Sequence, residues 1–343
     1  MTWLLMNAEA SRPLAGFRYP LLAFAVALAV TWLLTPWVRK LAFAKGAVDD
    51  PKRDDRRIHK EPLPRWGGIA IYAGLVVALL AVLPFAYPNK PFPPYLIGLL
   101  LVSGLLVVIG ALDDLFQYSA KIQALLLLLA GIVVQFAFDN VGRIQINTFG
   151  VPFSDGAYLD VRVLWLAVPI TAIYIFVITK TMDTIDGVDG LAAGIATISA
   201  STLCVIAGYG EQPRVALIAA AIAGAAMGFL RHNYNPAKII MGTGGAYLLG
   251  FTLACLSIVG AMKTAAAVAL VIPILVFGVP ILDAIFVVTR RLLSGSPITQ
   301  ADKRHVHHTL LQQGLSQRQT VWVMYAIAAA LCGMLLLVVL RSG

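Results

Sequence analysis

Three aspartates recur at every third position in the stretch KTMDTIDGVDGLAAG, which runs from Lys180 to Gly194 between two long apolar segments. They are Asp183, Asp186 and Asp189. A carboxylate near hydrocarbon costs about 3 kcal/mol, so such a cluster indicates a functional site. Glycine follows two of the aspartates and allows backbone amides to approach a ligand closely. The pattern predicts a cation site that also holds phosphate groups, and the alternative is a polar loop between two helices. The spacing excludes an EF-hand.

Composition assigns the chain to the membrane proteins, because 59% of its residues are hydrophobic, 13% are charged and the mean hydropathy is +0.84. We expect an all-α polytopic fold in a single integral membrane domain, residues 1–343, with no soluble domain and no cleavable signal peptide. Ten apolar segments are long enough, or nearly so, to cross about 30 Å of hydrocarbon. They are residues 20–38, 67–85, 95–112, 122–138, 163–179, 191–209, 215–230, 245–259, 264–288 and 320–340.

The basic residues predict the orientation of the spans. Most of the 26 Lys and Arg residues flank or lie in the loops after the odd-numbered segments, which the positive-inside rule places in the cytoplasm, with both termini outside. All five histidines and the clustered aspartates fall on the same face. The net charge of +9 is explained by topology and by attraction for anionic lipid, so no nucleic-acid partner is expected.

A second acidic turn follows the third apolar segment. Asp113 and Asp114 are adjacent, and Lys121 comes shortly after them. Magnesium prefers hard oxygen ligands, and a lysine offers a point charge for a phosphoryl oxygen. This turn therefore predicts a magnesium and diphosphate site, mainly because it shares a face with the later aspartates.

Two further cytoplasmic loops carry candidate phosphate contacts. Lys60 and Arg65 lie among prolines, just before a glycine pair that opens the second segment. A solvated basic loop is the alternative there. Asn233 and Lys238 lie before the glycine-rich start of the eighth segment, where anion binding and close helix packing are both open interpretations.

The last cytoplasmic loop predicts a short helix that is capped by Asp302 and closed by Gly314. It contains His305, His307 and His308, for which phosphate or sugar contact is favoured over zinc, since no cysteine accompanies them. The three cysteines lie within spans and predict no disulfide. The external stretch 139–162 predicts a small β-hairpin.

Four motifs together resemble the polyprenyl-phosphate N-acetylhexosamine-1-phosphate transferases. They are Asp113-Asp114, DGVDGLA from Asp186, NYNPAKIIMG from Asn233, and HVHH from His305. They follow the family's order on one predicted face, and the resemblance covers residues 40–318. The single-gap histidine pattern resembles the enzymes that transfer GlcNAc-1-phosphate to undecaprenyl phosphate. The phospho-MurNAc-pentapeptide transferases usually have three consecutive histidines.

The resemblance implies a multi-pass enzyme of the bacterial cytoplasmic membrane whose active site faces the cytoplasm. It would transfer a sugar-1-phosphate, with GlcNAc-1-phosphate favoured, from a UDP-N-acetylhexosamine to undecaprenyl phosphate and release UMP, as the first membrane step of cell-envelope polysaccharide synthesis. Membrane lipid would surround it, and both a monomer and a homodimer remain open. Magnesium is the expected cofactor, with manganese as an alternative.

The resemblance also implies roles for individual residues. Asp113, Asp114 and Asp186 would be catalytic, and Asp113, Asp114 and Asp183 would hold the metal. The substrate-binding residues would be Lys60, Arg65, Lys121, Asp189, Asn233, Lys238, His305, His307 and His308.

Two departures from the family pattern bear on the metal. The family usually has asparagines at the positions of Lys180 and Asp183, and a magnesium-binding aspartate at the position of Thr243. We therefore expect Asp183 to replace the missing ligand. Three alternatives stay open at this level: a catalytically altered or silent homologue that binds UDP-sugar or lipid phosphate, a phospho-MurNAc-pentapeptide transferase, and a lipid or solute transporter.

Overall fold

The apolar segments form helices, because a helix satisfies its own backbone hydrogen bonds where no water is present. The structure is a computed structural model that describes residues 15–49, 62–136, 144–150, 158–160, 165–261, 277–293 and 306–342. A short 3₁₀ turn, Ala15–Phe17, precedes the first helix. The helices are α1 (Arg18–Ala44), α2 (Gly67–Ala86), α3 (Pro94–Phe116), α4 (Ala120–Phe136), α5 (Ala167–Ile185), α6 (Leu191–Tyr209), α7 (Pro213–Asn233), α8 (Gly242–Ala261), α9 (Gly278–Leu293), α10 (Val306–Gln312) and α11 (Gln317–Ser342).

Eight of these helices in the described residues are long and apolar enough to cross a membrane, namely α1, α2, α3, α5, α6, α7, α8 and α11. They coincide with eight of the ten predicted spans. The fourth span corresponds to α4, which is apolar but has only 17 residues. The ninth corresponds in its second half to α9, and its first half lies outside the described residues. The all-α polytopic class is confirmed.

Two pairs of short strands lie between the helices. Strand β1 (Val48–Asp49) pairs antiparallel with β2 (Leu63–Pro64), and together they bracket the first loop. Strand β3 (Thr148–Gly150) pairs antiparallel with β4 (Tyr158–Asp160). The second pair confirms the hairpin predicted within residues 139–162, and its connecting turn, residues 151–157, lies outside the described residues.

The bundle is held together by close contact between small residues. Helix α7 is rich in alanine and glycine, and it packs along α1. Any side chain larger than glycine at Gly224 or Gly228 would collide with the backbone of α1 at Phe24 or Leu28. Small residues allow helix backbones to approach in lipid, where hydrophobic burial gives little driving force.

The position of each helix follows from how much of it is buried. The most apolar stretch of α8 is 89% buried, whereas the corresponding stretches of α1 and α11 are only 28% buried. Helix α8 therefore lies at the centre of the bundle, while α1 and α11 face lipid. The N-terminus of α8 is the point around which the polar residues gather.

Candidate active site

Four glycines at the centre of the bundle bring α2, α3 and α8 into backbone contact. A side chain at Gly68 would collide with Gly245, and one at Gly110 would collide with Gly244. The glycine-rich start of α8 therefore serves close helix packing, one of the two interpretations that the sequence left open. This packing places the end of α3, with its two aspartates, against the first residues of α8.

Asp114 is fully enclosed at this junction. Its Oδ1 accepts a hydrogen bond from the backbone N–H of Thr243 at 3.1 Å and pairs with the Arg65 guanidinium at 3.2 Å. Its Oδ2 is buried and has no hydrogen-bond partner in the part of the chain that the structure describes. Gly242, which has a φ of +73°, lies directly against this oxygen.

Arg65 reaches the site because the first loop folds back onto the bundle. Its backbone N–H donates to the carbonyl of Ala47 at 2.9 Å, immediately after strand β2. Its guanidinium bridges Asp49 and Asp114, at 3.2 Å from each. The neighbouring Trp66 donates its indole N–H to the carbonyl of Ala111 at 3.0 Å. The positively charged side chain of Arg65 is thus held beside the aspartates.

Asp113 is held by donors from the turn after α3 and from the first turn of α4. Its Oδ1 accepts from the backbone N–H of Tyr118 at 2.8 Å. The Gln123 amide donates to both carboxylate oxygens, at 3.1 Å each. Sequence reasoning missed Gln123, because a glutamine in an apolar helix carries no chemical signature of its own.

Lys180 and Asp183 form an ion pair with each other at the end of α5. The Lys180 ammonium lies 2.7 Å from Asp183 Oδ2 and donates to Gln123 Oε1 at 2.8 Å. It also lies 6.0 Å from the ring centre of Tyr247. The Tyr247 hydroxyl is buried and has no hydrogen-bond partner among the described residues. Two of the three residues that depart from the expected family pattern, Lys180 and Asp183, are therefore direct partners.

Asp186 lies among other carboxylates just beyond the end of α5. Burial raises its pKa well above the ordinary value, and the negative charges of Asp183, Asp114 and Asp189 raise it further, whereas the Arg65 charge lowers it. Repulsion between carboxylates disfavours the ionised form of each. A cation close to Asp186 would relieve this repulsion.

Asp189 and Asn233 connect the acidic turn to the loop before α8. Asp189 Oδ2 accepts from the Asn235 amide at 2.9 Å and from the backbone N–H of Ala237 at 3.0 Å. The Asn233 amide accepts from Gly190 N–H and donates to the carbonyl of Ile239, both at 3.0 Å. Both residues shape the site, and their predicted contact with substrate stays a prediction.

Helix α11 closes the same loop from the other side. Gln317 accepts from the Asn235 amide at 2.6 Å, and the Tyr325 hydroxyl donates to the carbonyl of Gly190 at 2.6 Å. Asn235 therefore links Asp189 to α11. Sequence reasoning did not assign a role to Asn235, Gln317 or Tyr325.

The structure describes only some of the remaining predicted substrate contacts. Lys121 and Lys238 are exposed at the same end of the bundle. Lys60 and His305 lie outside the described residues, and of His307 and His308 only the backbone, within α10, is described.

Helix α10 confirms part of the prediction for the last loop. Gly314, at φ +96°, follows its C-terminus as predicted. The predicted cap, Asp302, lies outside the described residues. The N–H of Val306 donates to Oδ1 of Asp283, a buried residue of α9, at 2.6 Å.

The acidic residues fit a magnesium ion in their chemistry. Among the described residues, no three His, Cys, Asp or Glu side chains gather closely enough to form a ready-made metal cage. Magnesium does not need one, since it usually keeps several waters and binds one or two carboxylates together with substrate phosphates. The buried Asp114 Oδ2 and the crowded Asp186 carboxylate are hard oxygen donors suited to that arrangement.

Comparison with known proteins identifies the family. Residues 96–261 match the model described as glycosyl transferase family 4. The chain is 36% identical over 305 residues to a probable undecaprenyl-phosphate N-acetylglucosaminyl 1-phosphate transferase of Bacillus subtilis, covering 89% of this chain and 81% of that protein. The chain belongs to glycosyl transferase family 4.

More distant relatives within glycosyl transferase family 4 cover similar shares of the chain. A decaprenyl-phosphate N-acetylglucosaminephosphotransferase of Mycolicibacterium smegmatis is 32% identical, covering 86% of this chain and 76% of that protein. An undecaprenyl-phosphate alpha-N-acetylglucosaminyl 1-phosphate transferase of Escherichia coli is 27% identical, covering 88% and 78%. The family match contains α4 to α8 entirely and nearly all of α3, and it includes Asp113, Asp114, Asp183, Asp186 and Asp189.

Proposed function

We propose that this protein transfers GlcNAc-1-phosphate from UDP-GlcNAc to undecaprenyl phosphate at the cytoplasmic face of a bacterial membrane. The names of the relatives support the substrates. The observation that carries the proposal is the gathering of Asp114 and Asp186 around Arg65, with Asp113 next to Asp114 in the chain, at one end of a membrane-spanning bundle. A lipid phosphate and a nucleotide diphosphate can meet only where such a polar site borders the hydrocarbon.

The reaction is an in-line phosphoryl transfer. An oxygen of the lipid phosphate attacks the β-phosphorus of UDP-GlcNAc, a new P–O bond forms, and the bond to the bridging oxygen of UMP breaks. The products are UMP and a polyprenyl-diphospho-GlcNAc. A phosphate monoester has a second pKa of about 6, so the nucleophile is mostly ionised at neutral pH and needs no strong base.

The residues of the chain then mainly position and neutralise charge. Arg65 is already fixed beside Asp114 and presents a cation at the mouth of the site. Lys121 and Lys238 are exposed at the same end and can contact diphosphate. The loop joined by Asp189 and Asn235 forms a rigid wall against which the nucleotide would lie.

Asp114 and Asp186, with Asp113 and Asp183 nearby, would hold magnesium, which when bound neutralises the charge that develops on the diphosphate. The sequence expectation that Asp183 replaces the missing acid at Thr243 remains part of this proposal. Asp183 would then have to share its carboxylate between the metal and Lys180.

The test is UMP release by the purified protein given undecaprenyl phosphate and UDP-GlcNAc, with and without magnesium. UDP-GalNAc and UDP-MurNAc-pentapeptide are tested separately as alternative donors. We expect metal-dependent release with UDP-GlcNAc and loss of release in Asp183→Asn. Binding of UDP-GlcNAc without release from any donor would contradict the proposal and favour a silent homologue.

The same reaction would start the synthesis of a cell-envelope polysaccharide, since its lipid-linked product is a primer for further glycosyl transfer. A homodimer is compatible with the large lipid-facing surfaces of α1 and α11. The proposed activity does not require a second subunit, because the acidic site is assembled within one chain.

A further inference from the structure

Gln123 occupies a position between two charged groups that come from different helices. From α4 its amide nitrogen reaches Asp113 of α3 at 3.1 Å from both carboxylate oxygens. Its amide oxygen accepts from Lys180 of α5 at 2.8 Å. Gln123 is only partly buried, so it is not a core residue that merely satisfies its own polar atoms.

The chemistry of the two partners fixes the orientation of the amide. An ionised carboxylate can only accept hydrogen bonds, and an ammonium can only donate them. The NH₂ group must therefore face Asp113 and the carbonyl must face Lys180. If the amide were flipped, its oxygen would face the Asp113 carboxylate and its NH₂ group would face the Lys180 ammonium. All three hydrogen bonds would then be lost.

The contacts continue beyond Gln123 into a chain of four side chains. Lys180 is fixed in turn by Asp183 at 2.7 Å, so the chain runs from Asp113 through Gln123 and Lys180 to Asp183. The N–H of Tyr118 adds a third donor to Asp113. The Asp113 carboxylate is thereby prevented from rotating, although the exposed end of the site is open to water.

We propose that Gln123 is a positioning residue that holds the Asp113 carboxylate in the orientation the transfer reaction needs. The inference rests on the proposed function, because it assigns Gln123 a role in that reaction. Lys180 acts through Gln123 by locking its amide. Misplacement of a reacting group by about 1 Å can lower a rate by about a hundredfold, so a rotated Asp113 would slow transfer without weakening substrate binding.

The first test compares Gln123→Leu, Gln123→Glu and the matched control Gln313→Leu. Gln313 is exposed just beyond the end of α10. We expect Gln123→Leu to lower kcat about 10- to 100-fold with KM for UDP-GlcNAc changed less than about twofold. Gln123→Glu keeps the acceptor for Lys180 but loses the donors to Asp113, so it should be equally slow. The control should retain activity.

Three results would overturn the inference. Unchanged kcat in Gln123→Leu would do so, as would a raised KM with unchanged kcat, which would make Gln123 a substrate contact. The third is a further loss when Gln123→Leu is added to Asp113→Asn, since a residue that acts through Asp113 should add nothing once that carboxylate is gone.

A readout that does not depend on activity separates this inference from the proposed function. Melting temperatures of the detergent-purified protein are measured for Gln123→Leu, Asp113→Ala and the double variant. If the two side chains are coupled, the melting temperature of the double variant should fall by less than the sum of the decreases in the two single variants. Additive losses would overturn the inference even if the wild-type protein transfers no sugar phosphate with the donors tested.

Discussion

The aspartates of the site differ in the donors that the protein gives them. Asp113 is bound by neutral amides, Asp114 by a guanidinium and a backbone N–H, and Asp183 by an ammonium. Asp186 is affected first by burial and then by the repulsion of neighbouring carboxylates, which Arg65 partly offsets. Such differences allow carboxylates of the same type to serve different roles, because the surroundings determine which one keeps its charge and which one gains from a cation.

The Lys180–Asp183 pair leads to a prediction about stability. Both side chains are partly buried, with 32% and 20% of their surface exposed. Removing one partner leaves a charge unpaired, whereas Lys180→Asn combined with Asp183→Asn keeps the net charge unchanged. We expect the free energy of unfolding of the double variant to be about 1 kcal/mol higher than it would be if the two single losses simply added. Thermal unfolding in detergent measures this coupling, and strictly additive losses would show that the pair contributes nothing.

At the scale of elements, the site depends on how closely three helices approach. Gly68 and Gly110 let α2 and α3 reach the first residues of α8. Only then can Arg65 from the first loop and Thr243 from α8 meet the same carboxylate. The acidic face is therefore as much a product of small residues as of charged ones.

Gly242 provides the test at this scale. It has a φ of +73°, and a methyl group there would collide with Asp114 Oδ2. We expect Gly242→Ala to displace Asp114, to lower transfer at least about tenfold and to destabilise the protein by about 1–2 kcal/mol. Activity and thermal unfolding are measured beside Gly333→Ala, a position in α11 with open space around it. If the two variants had the same activity and stability, the close approach of Gly242 to Asp114 would not be needed for the site.

At the scale of the whole molecule, the polar groups lie at one end of the bundle and the membrane surrounds the rest. Large apolar side chains such as Trp37, Leu101 and Leu337 are exposed along the helices, as lipid-facing residues should be. The central α8 has almost no such surface. Substrate in the membrane must therefore approach the site between the ends of helices, not through the core of the bundle.

The predicted orientation can be checked with single cysteines in a variant that lacks Cys204, Cys255 and Cys332. Ser119 is exposed at the acidic end, between α3 and α4, and Lys90 is exposed at the opposite end, between α2 and α3. In spheroplasts, we expect a membrane-impermeant maleimide to label Lys90→Cys only. After permeabilisation it should label Ser119→Cys as well. The reverse pattern would contradict a cytoplasmic active site.

The sequence by itself determined the membrane class, most of the span boundaries and the face that carries the acids. Hydropathy and charge are properties of local segments, and a lipid environment permits few alternatives to a helix. It also predicted that Asp114 and Asp186 lie at the same end of the bundle, because both come at the ends of spans, and the structure places Arg65 close to both of them.

Only the tertiary structure decided how these residues are used. Gln123 gains its role from Lys180, which lies 57 positions away in the sequence. Asn233 links the backbone of Gly190 to that of Ile239, a contact that its sequence context does not reveal, and its predicted contact with substrate stays a prediction. The N–H of Val306, in α10, donates to Asp283 of α9, another contact between distant segments. Hydrogen bonds between distant segments depend on helix packing, and no local pattern encodes which side chains that packing brings within 3 Å of each other.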